Sequence, residues 1–116
     1  MAAETEREER IVHNELVFRS ANQSLHGSFA DAGLTEVELF PFLCECGDRA
    51  CTRVLSIPLE SYERIRRHPA RFLILPGHLR LPSEDLVEEH EGFHVVDKRG
   101  RGGELARADW AASAER

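Results

Sequence analysis

With 116 residues the chain is long enough for one domain, and apolar residues make up 41% of it against 31% charged. A formal net charge of −6 argues against general affinity for nucleic acid, which rests on an excess of Lys and Arg. No apolar run approaches the ~18 residues of a membrane span, and the opening residues lack the basic-then-apolar pattern of a secretory signal, so the sequence points to a cytoplasmic protein.

Residues from about Glu4 to Ala30 are expected to form an amphipathic helix. Ile11, Phe18 and Leu25 recur at heptad spacing with Asn14, Ala21 and Ser28 between them, and Val17 and Phe29 widen the stripe. Glu6–Arg10 and Glu15–Arg19 place acid before base one turn apart, which suits an exposed helical face. Gly33 is a natural stop. Such a helix either lies on its own domain or offers a short seam to a second copy or another protein; fewer than three heptads do not specify a coiled coil.

Residues 37–40 and 42–46 read as strand, with Pro41 as a kink or edge position. Gly47-Asp48 makes a turn, and residues 52–57 alternate as a second strand. A short helix follows over residues 58–67, with Leu59, Tyr62 and Ile65 on one side and His68-Pro69 as its end. Residues 71–75 are the most apolar run and are expected to be the central strand. Residues 86–90 and 93–98 flank Glu91-Gly92 as a hairpin. Gly100, Gly102 and Gly103 break the pattern, so residues 100–116 are expected to be a flexible tail, at most a frayed helix. The chain thus divides into an N-terminal amphipathic helix (1–34), an α+β domain (35–99) and a tail (100–116).

The informative block is Cys44-Glu45-Cys46-Gly47, with Cys51 close behind. Three cysteines in a reducing compartment point to metal or redox chemistry before disulfides. Zinc is held by four nitrogen or sulfur donors in a tetrahedron. Residues two apart on a strand share a face, so Cys44 and Cys46 can aim at one ion, and Gly47 permits the turn that returns Cys51 to it. The fourth ligand must come from elsewhere. His78 is the best placed of the six histidines, because it follows a Pro-Gly pair suited to a type II turn at the end of a strand expected beside the cysteine segment. His68, His90 and His94 are alternatives. So is a reading in which the cysteines are small buried apolar side chains. An iron–sulfur cluster normally draws on four cysteines. Three thiolates and an imidazole leave no open position for substrate or water, and Glu45 is expected to point to the opposite strand face. The pattern therefore reads as a structural zinc site, not a catalytic one.

Phe42-Leu43-Cys44-Glu45-Cys46 with Cys51, then Tyr62-Glu63, Arg71-Phe72, Pro76-Gly77-His78 and Val95-Val96-Asp97-Lys98, resemble a family of small bacterial proteins of unknown function. Its members carry an FLCEC…C block, a YE…R helix, an RF…PGH strand and a terminal VVEK-like strand. Asn14-Glu15, Phe18-Arg19 and Asn22 resemble that family's leading helix, and the likeness covers roughly residues 10–99. Asp97 stands where the family usually has Glu. The resemblance implies the grouping of Cys44, Cys46, Cys51 and His78, and it brings no activity with it.

Arg64, Arg66, Arg67, His68 and Arg71 form a basic cluster, either a docking patch for an acidic partner or RNA, or a solvated face paired with local glutamates. Glu84, Asp85, Glu88, Glu89 and Glu91 are its acidic counterpart. Arg99-Gly100-Arg101-Gly102-Gly103 reads as a linker more readily than as an RNA-binding tail. The sequence holds no phosphate loop, dinucleotide fingerprint or nucleophile elbow. The expectation is an α+β domain stapled by zinc: a non-enzymatic regulatory or interaction module that meets another protein through its leading helix, basic patch or tail, or a second copy through that helix. A thiol-based redox switch and a metal-dependent enzyme are the alternatives.

Overall fold

The computed structural model describes residues 2–33, 38–48, 50–51, 53–78 and 82–114. In chain order they form α1 (Ala2–Asp31), β1 (Phe40–Leu43), β2 (Val54–Ile57), α2 (Leu59–Arg66), β3 (Arg71–Ile74), β4 (Glu84–Glu89), β5 (His94–Lys98) and α3 (Gly100–Ala114). The strands make two antiparallel sheets, β1-β2 and β3-β5-β4. This is the expected α+β arrangement of a leading helix, antiparallel strands and a short middle helix, though the strands form two small sheets where one small, mainly antiparallel sheet is expected. Val37 and Thr52, expected to begin the first two strands, and residues 115–116 of the tail lie outside the described residues. Among those described, no helix is long and apolar enough to cross a membrane.

The core forms where one face of each sheet meets α1 and α2. Phe40, Phe42, Leu55 and Ile57 alternate inward from β1 and β2, and Phe72, Leu73, Ile74, Val95 and Val96 are buried in the second sheet. The Phe42 and Tyr62 rings stack at 4.3 Å, which joins α2 to β1. Leu43 turns its N–H and C=O away from β2, where the Asn22 amide meets both at 2.8 Å. Pro41 faces the same way, so its missing N–H removes no ladder bond.

Three further expectations are corrected. The first concerns β3, which lies at a sheet edge; β5 is the central strand. β3 is nonetheless as apolar as an interior strand because residues 44–45 cover its free edge. The Glu45 N–H donates to the Leu73 carbonyl at 2.7 Å, and the Leu75 N–H donates to Cys44 Sγ at 3.2 Å.

The second concerns the buried face of α1. It runs through Ile11, Val12, Glu15, Arg19 and Asn22, whereas Val17 of the expected stripe is 53% exposed. Glu15 and Arg19 are not an exposed pair. Arg19 donates to the carbonyls of Pro69 and Ala106 and pairs with Asp109 at 3.1 Å. Glu15 meets the Lys98 ammonium at 2.7 Å, and Lys98 also bonds Glu84 at 2.9 Å. Acid and base one turn apart look the same in sequence whether they face water or each reach a buried partner on another element.

The third concerns residues 100–114, which form α3 packed on α1 and β5. Two of the glycines that resembled a linker are close-approach positions: a Cβ at Gly103 would lie 2.7 Å from the Lys98 carbonyl oxygen, and one at Gly102 3.3 Å from Val12. Their small size lets α3 seat buried Ala106 and bring Trp110 against the Arg66 guanidinium. With α1 and α3 both supplying buried side chains, the leading helix and the final segment belong to the same packed body as residues 35–99.

Candidate metal centre

The centre is assembled from three stretches. Cys44 and Cys46 follow directly on β1, whose last residue is held by β2 on one side and Asn22 on the other. The cysteines themselves lie beyond the strand, where Cys44 N–H still donates to the Arg53 carbonyl at 3.1 Å and Cys46 sits in a bend. Gly47 then turns with φ +78°. A side chain there would strike Glu15 Cγ and Ile11 from α1 at 2.7–2.8 Å, so α1 presses directly on the cysteine loop. The Asn14 amide donates to the Gly47 carbonyl at 3.1 Å. A tight turn closed by Cys51 N–H to Asp48 O, at 2.9 Å, carries Cys51 back.

His78 arrives from the other sheet. Its N–H closes a turn onto Leu75 O at 3.1 Å, with Gly77 at φ +78°, the left-handed conformation that the third residue of a type II turn requires. Because residues 44–45 bond to β3, the end of that strand lies beside the cysteines. The sequence expectation for the grouping is met: the donor atoms of Cys44, Cys46, Cys51 and His78 all lie within 4.8 Å of one another, and the group could hold a metal ion. His78 Nδ1 is 3.5 Å from both Cys44 Sγ and Cys51 Sγ. A tetrahedral zinc ion, with bonds of about 2.3 Å to sulfur and about 2.0 Å to nitrogen, would set such donors about 3.5 Å apart. The residues present fit the ion.

Each sulfur also accepts one backbone N–H: that of Leu75 on Cys44, of Asp48 on Cys46 and of Arg53 on Cys51. Such donors orient ligands and offset their negative charge. Three thiolates cannot all ionise side by side without a cation. The hydrogen bond shared with Cys44 pulls the Cys46 thiol down to about 5, and the same bond, together with burial, pushes Cys44 up. Burial raises Cys51. A divalent cation would satisfy all three at once.

The alternative histidines are elsewhere. His90 stacks on Phe93 at 4.4 Å and bonds Glu88, His94 lies 3.8 Å from Glu89, and His68 is exposed at the end of α2.

Glu45 is the residue whose importance the sequence concealed. It points away from the sulfurs, as a residue between them on a strand would, but into a second buried site. Its carboxylate accepts from the Leu73 N–H and the Asn22 amide, both at 2.9 Å, and from Tyr62 OH at 3.4 Å, with Arg66 Nη1 at 3.7 Å. It therefore anchors the cysteine segment to α1, α2 and β3 together, through charge-assisted bonds. Nothing local distinguishes it from a surface glutamate in sequence; its partners are 17–28 residues away.

The basic cluster is largely neutralised within the fold. Arg64 pairs with Glu88 at 2.8 Å, Arg71 with Asp97 at 2.9 Å, and Arg66 is buried beside Tyr62. The Arg64–Glu88 pair joins the basic helix α2 to the acidic strand β4 within the chain. Comparisons with protein-family models, with curated proteins and with solved structures return no match.

Proposed function

We propose that Cys44, Cys46, Cys51 and His78 hold one zinc ion as a structural staple, and that the protein is a non-enzymatic regulatory or protein-interaction module of the cytoplasm. One observation carries the reading: residues far apart in the chain deliver three sulfurs and one nitrogen, with no oxygen donor among the described residues, to a group whose donor atoms lie within 4.8 Å of one another. That donor set suits zinc, and four protein ligands fill its sphere.

An enzymatic site would need an open metal position and a base beside it. Glu45, the carboxylate nearest in sequence, has both oxygens committed to the core. The interaction surface in this reading is the outer side of α1, where Glu6, Glu9, Arg10, His13 and exposed Val17 border an open groove. It would meet another protein or a second copy of this chain. Nucleic acid is a poor partner for a chain of charge −6 whose Arg64 and Arg71 are already paired.

Zinc-edge X-ray absorption tests the structural role. Three sulfurs, one nitrogen and no oxygen in the first shell are expected. An oxygen neighbour would move the reading toward a metal-dependent enzyme.

A further inference from the structure

The four ligands are not equally sheltered. Cys44 is 2% and Cys46 1% exposed, whereas Cys51 and His78 are only half-buried. Their anchoring differs in the same sense. Cys44 is held by the Arg53 carbonyl at its backbone and the Leu75 N–H at its sulfur, and Glu45 ties both neighbouring cysteines into the core. Gly47 is wedged beneath α1. Cys51 is held by the local Asp48 turn and by the Arg53 N–H on its sulfur, and Asp48, Ala50 and Arg53 around it are exposed. The centre thus has a fixed half and an open half.

We infer that Cys51 is an oxidant-sensing thiolate, and that its oxidation by a small peroxide releases the metal while α1 stays docked. This rests on the zinc reading above. In the first step the Cys51 thiolate sulfur attacks a peroxide oxygen: an S–O bond forms, the O–O bond breaks, and the departing hydroxide takes a proton to leave as water. The product is a sulfenic acid. In the second step a buried thiolate, Cys44 or Cys46, attacks that sulfur. An S–S bond forms, the S–O bond breaks, and a second hydroxide leaves as water once protonated. The two sulfurs are oxidised by two electrons in total and the peroxide is reduced by two.

Linkage of Cys44 to Cys46 is disfavoured because it would twist Glu45, which lies between them, out of its buried bonds. With two of its four donors joined to each other, the ion departs. The helix has independent ties. Arg19 bonds Pro69, Ala106 and Asp109 away from the cysteine loop, and the Glu15 carboxylate meets Lys98 even though its Cγ packs against Gly47. The element that changes is therefore the segment carrying Cys51, where Asp48, Ala50 and Arg53 are exposed, a surface whose shape reports the oxidant.

The test uses the full zinc-loaded chain, titrated with hydrogen peroxide in the presence of a chromogenic zinc indicator and a 1,3-dicarbonyl trap for sulfenic acid. The expected result has three parts: the trap on Cys51 first, then a disulfide from Cys51 to Cys44 or Cys46 with one zinc released per chain, and amide exchange in α1 between residues 11 and 22 unchanged within about twofold. First labelling of Cys44 or Cys46, a Cys44–Cys46 disulfide, or zinc kept until the chain unfolds would overturn the inference. Cys51→His, which keeps a metal donor and removes the exposed sulfur, should slow peroxide-driven release at least tenfold; an unchanged rate also overturns it. A purified chain with no zinc would instead sink the zinc reading, and the trap would still report which thiol meets the oxidant.

Discussion

Two clusters tie distant parts of this chain together, and they use opposite chemistry. Around Cys44, Cys46, Cys51 and His78, soft donors converge on a place for a cation. On the other side of the cysteine loop, Glu15, Lys98 and Glu84 form an ion cluster whose side chains are each about 1% exposed, joining α1, β4 and β5. The first cluster needs an outside ion to neutralise it. The second carries its own cation but holds two carboxylates against one ammonium, so burial and the neighbouring Glu84 hold the Glu15 carboxyl up at about 8, against the pull of Lys98. Glu15 connects the two, since its Cγ lies where a Gly47 side chain would go. In the proposed reading, folding depends on two charge-balancing devices set back to back.

The comparison is broken most sharply on the metal side. Cys46→Ser is expected to abolish stoichiometric zinc binding and to cost several kcal/mol, because metal affinity is folding free energy. Thermal unfolding with and without chelator measures it. The chelator should destabilise the wild type and leave the variant unmoved. If the wild type and the variant unfold alike, the sulfurs are not a staple.

On the ionic side, Lys98→Met removes the ammonium that meets both Glu15 and Glu84. The expected loss is about 3 kcal/mol or less, the low end for breaking a buried pair, because the Glu15 carboxyl can hold a proton in place of the cation. Zinc content should be unchanged. Denaturant unfolding and metal analysis on the same sample decide this, and loss of zinc in that variant would mean that the two devices are one.

A pH series sharpens the contrast, because the two sides respond with opposite sign. Glu15 has a folded value near 8 against an ordinary 4.5, so the native state holds a proton that the unfolded chain releases. Its contribution is fully present below about pH 4.5 and is lost as pH rises through about 8, a few kcal/mol at most. The metal side loses its ion as pH falls, when protons compete for the thiolates. Glu15→Gln should flatten the fall in stability between about pH 4.5 and 8 and leave the acid loss in place. An unaltered slope across that window would place the responsible group elsewhere.

The same contrast explains what could be read from the sequence. Cysteine is scarce, and only a few chemistries use three within eight residues, so Cys44, Cys46 and Cys51 announced a centre and the Pro76-Gly77 turn directed attention to His78. The hairpin around Glu91-Gly92 was equally legible, and β4 and β5 pair across it, with a His90 to Phe93 bond of 3.0 Å. Glutamate, arginine and lysine are common on surfaces. Nothing marked Glu15, Arg19, Glu45 or Lys98 as buried, because the partner that makes burial tolerable is in each case far along the chain. The hydrophobic pattern placed α1 and its Ile11, Leu25 and Phe29 toward the core, but the inner face is rotated from the expected stripe to centre on Glu15, Arg19 and Asn22. β3 looked central because residues 44–45 hide its edge. Gly102 and Gly103 looked like a linker because a helix seated by missing side chains has the composition of a flexible one.

The central claim is that one zinc ion joins the cysteine loop to the Pro76-Gly77-His78 turn. Native mass spectrometry of the purified full chain, beside its His78→Ala variant, tests it most directly. One zinc per wild-type chain and markedly reduced occupancy in the variant are expected. A metal-free wild type, or a variant that keeps its full complement of zinc, would contradict it.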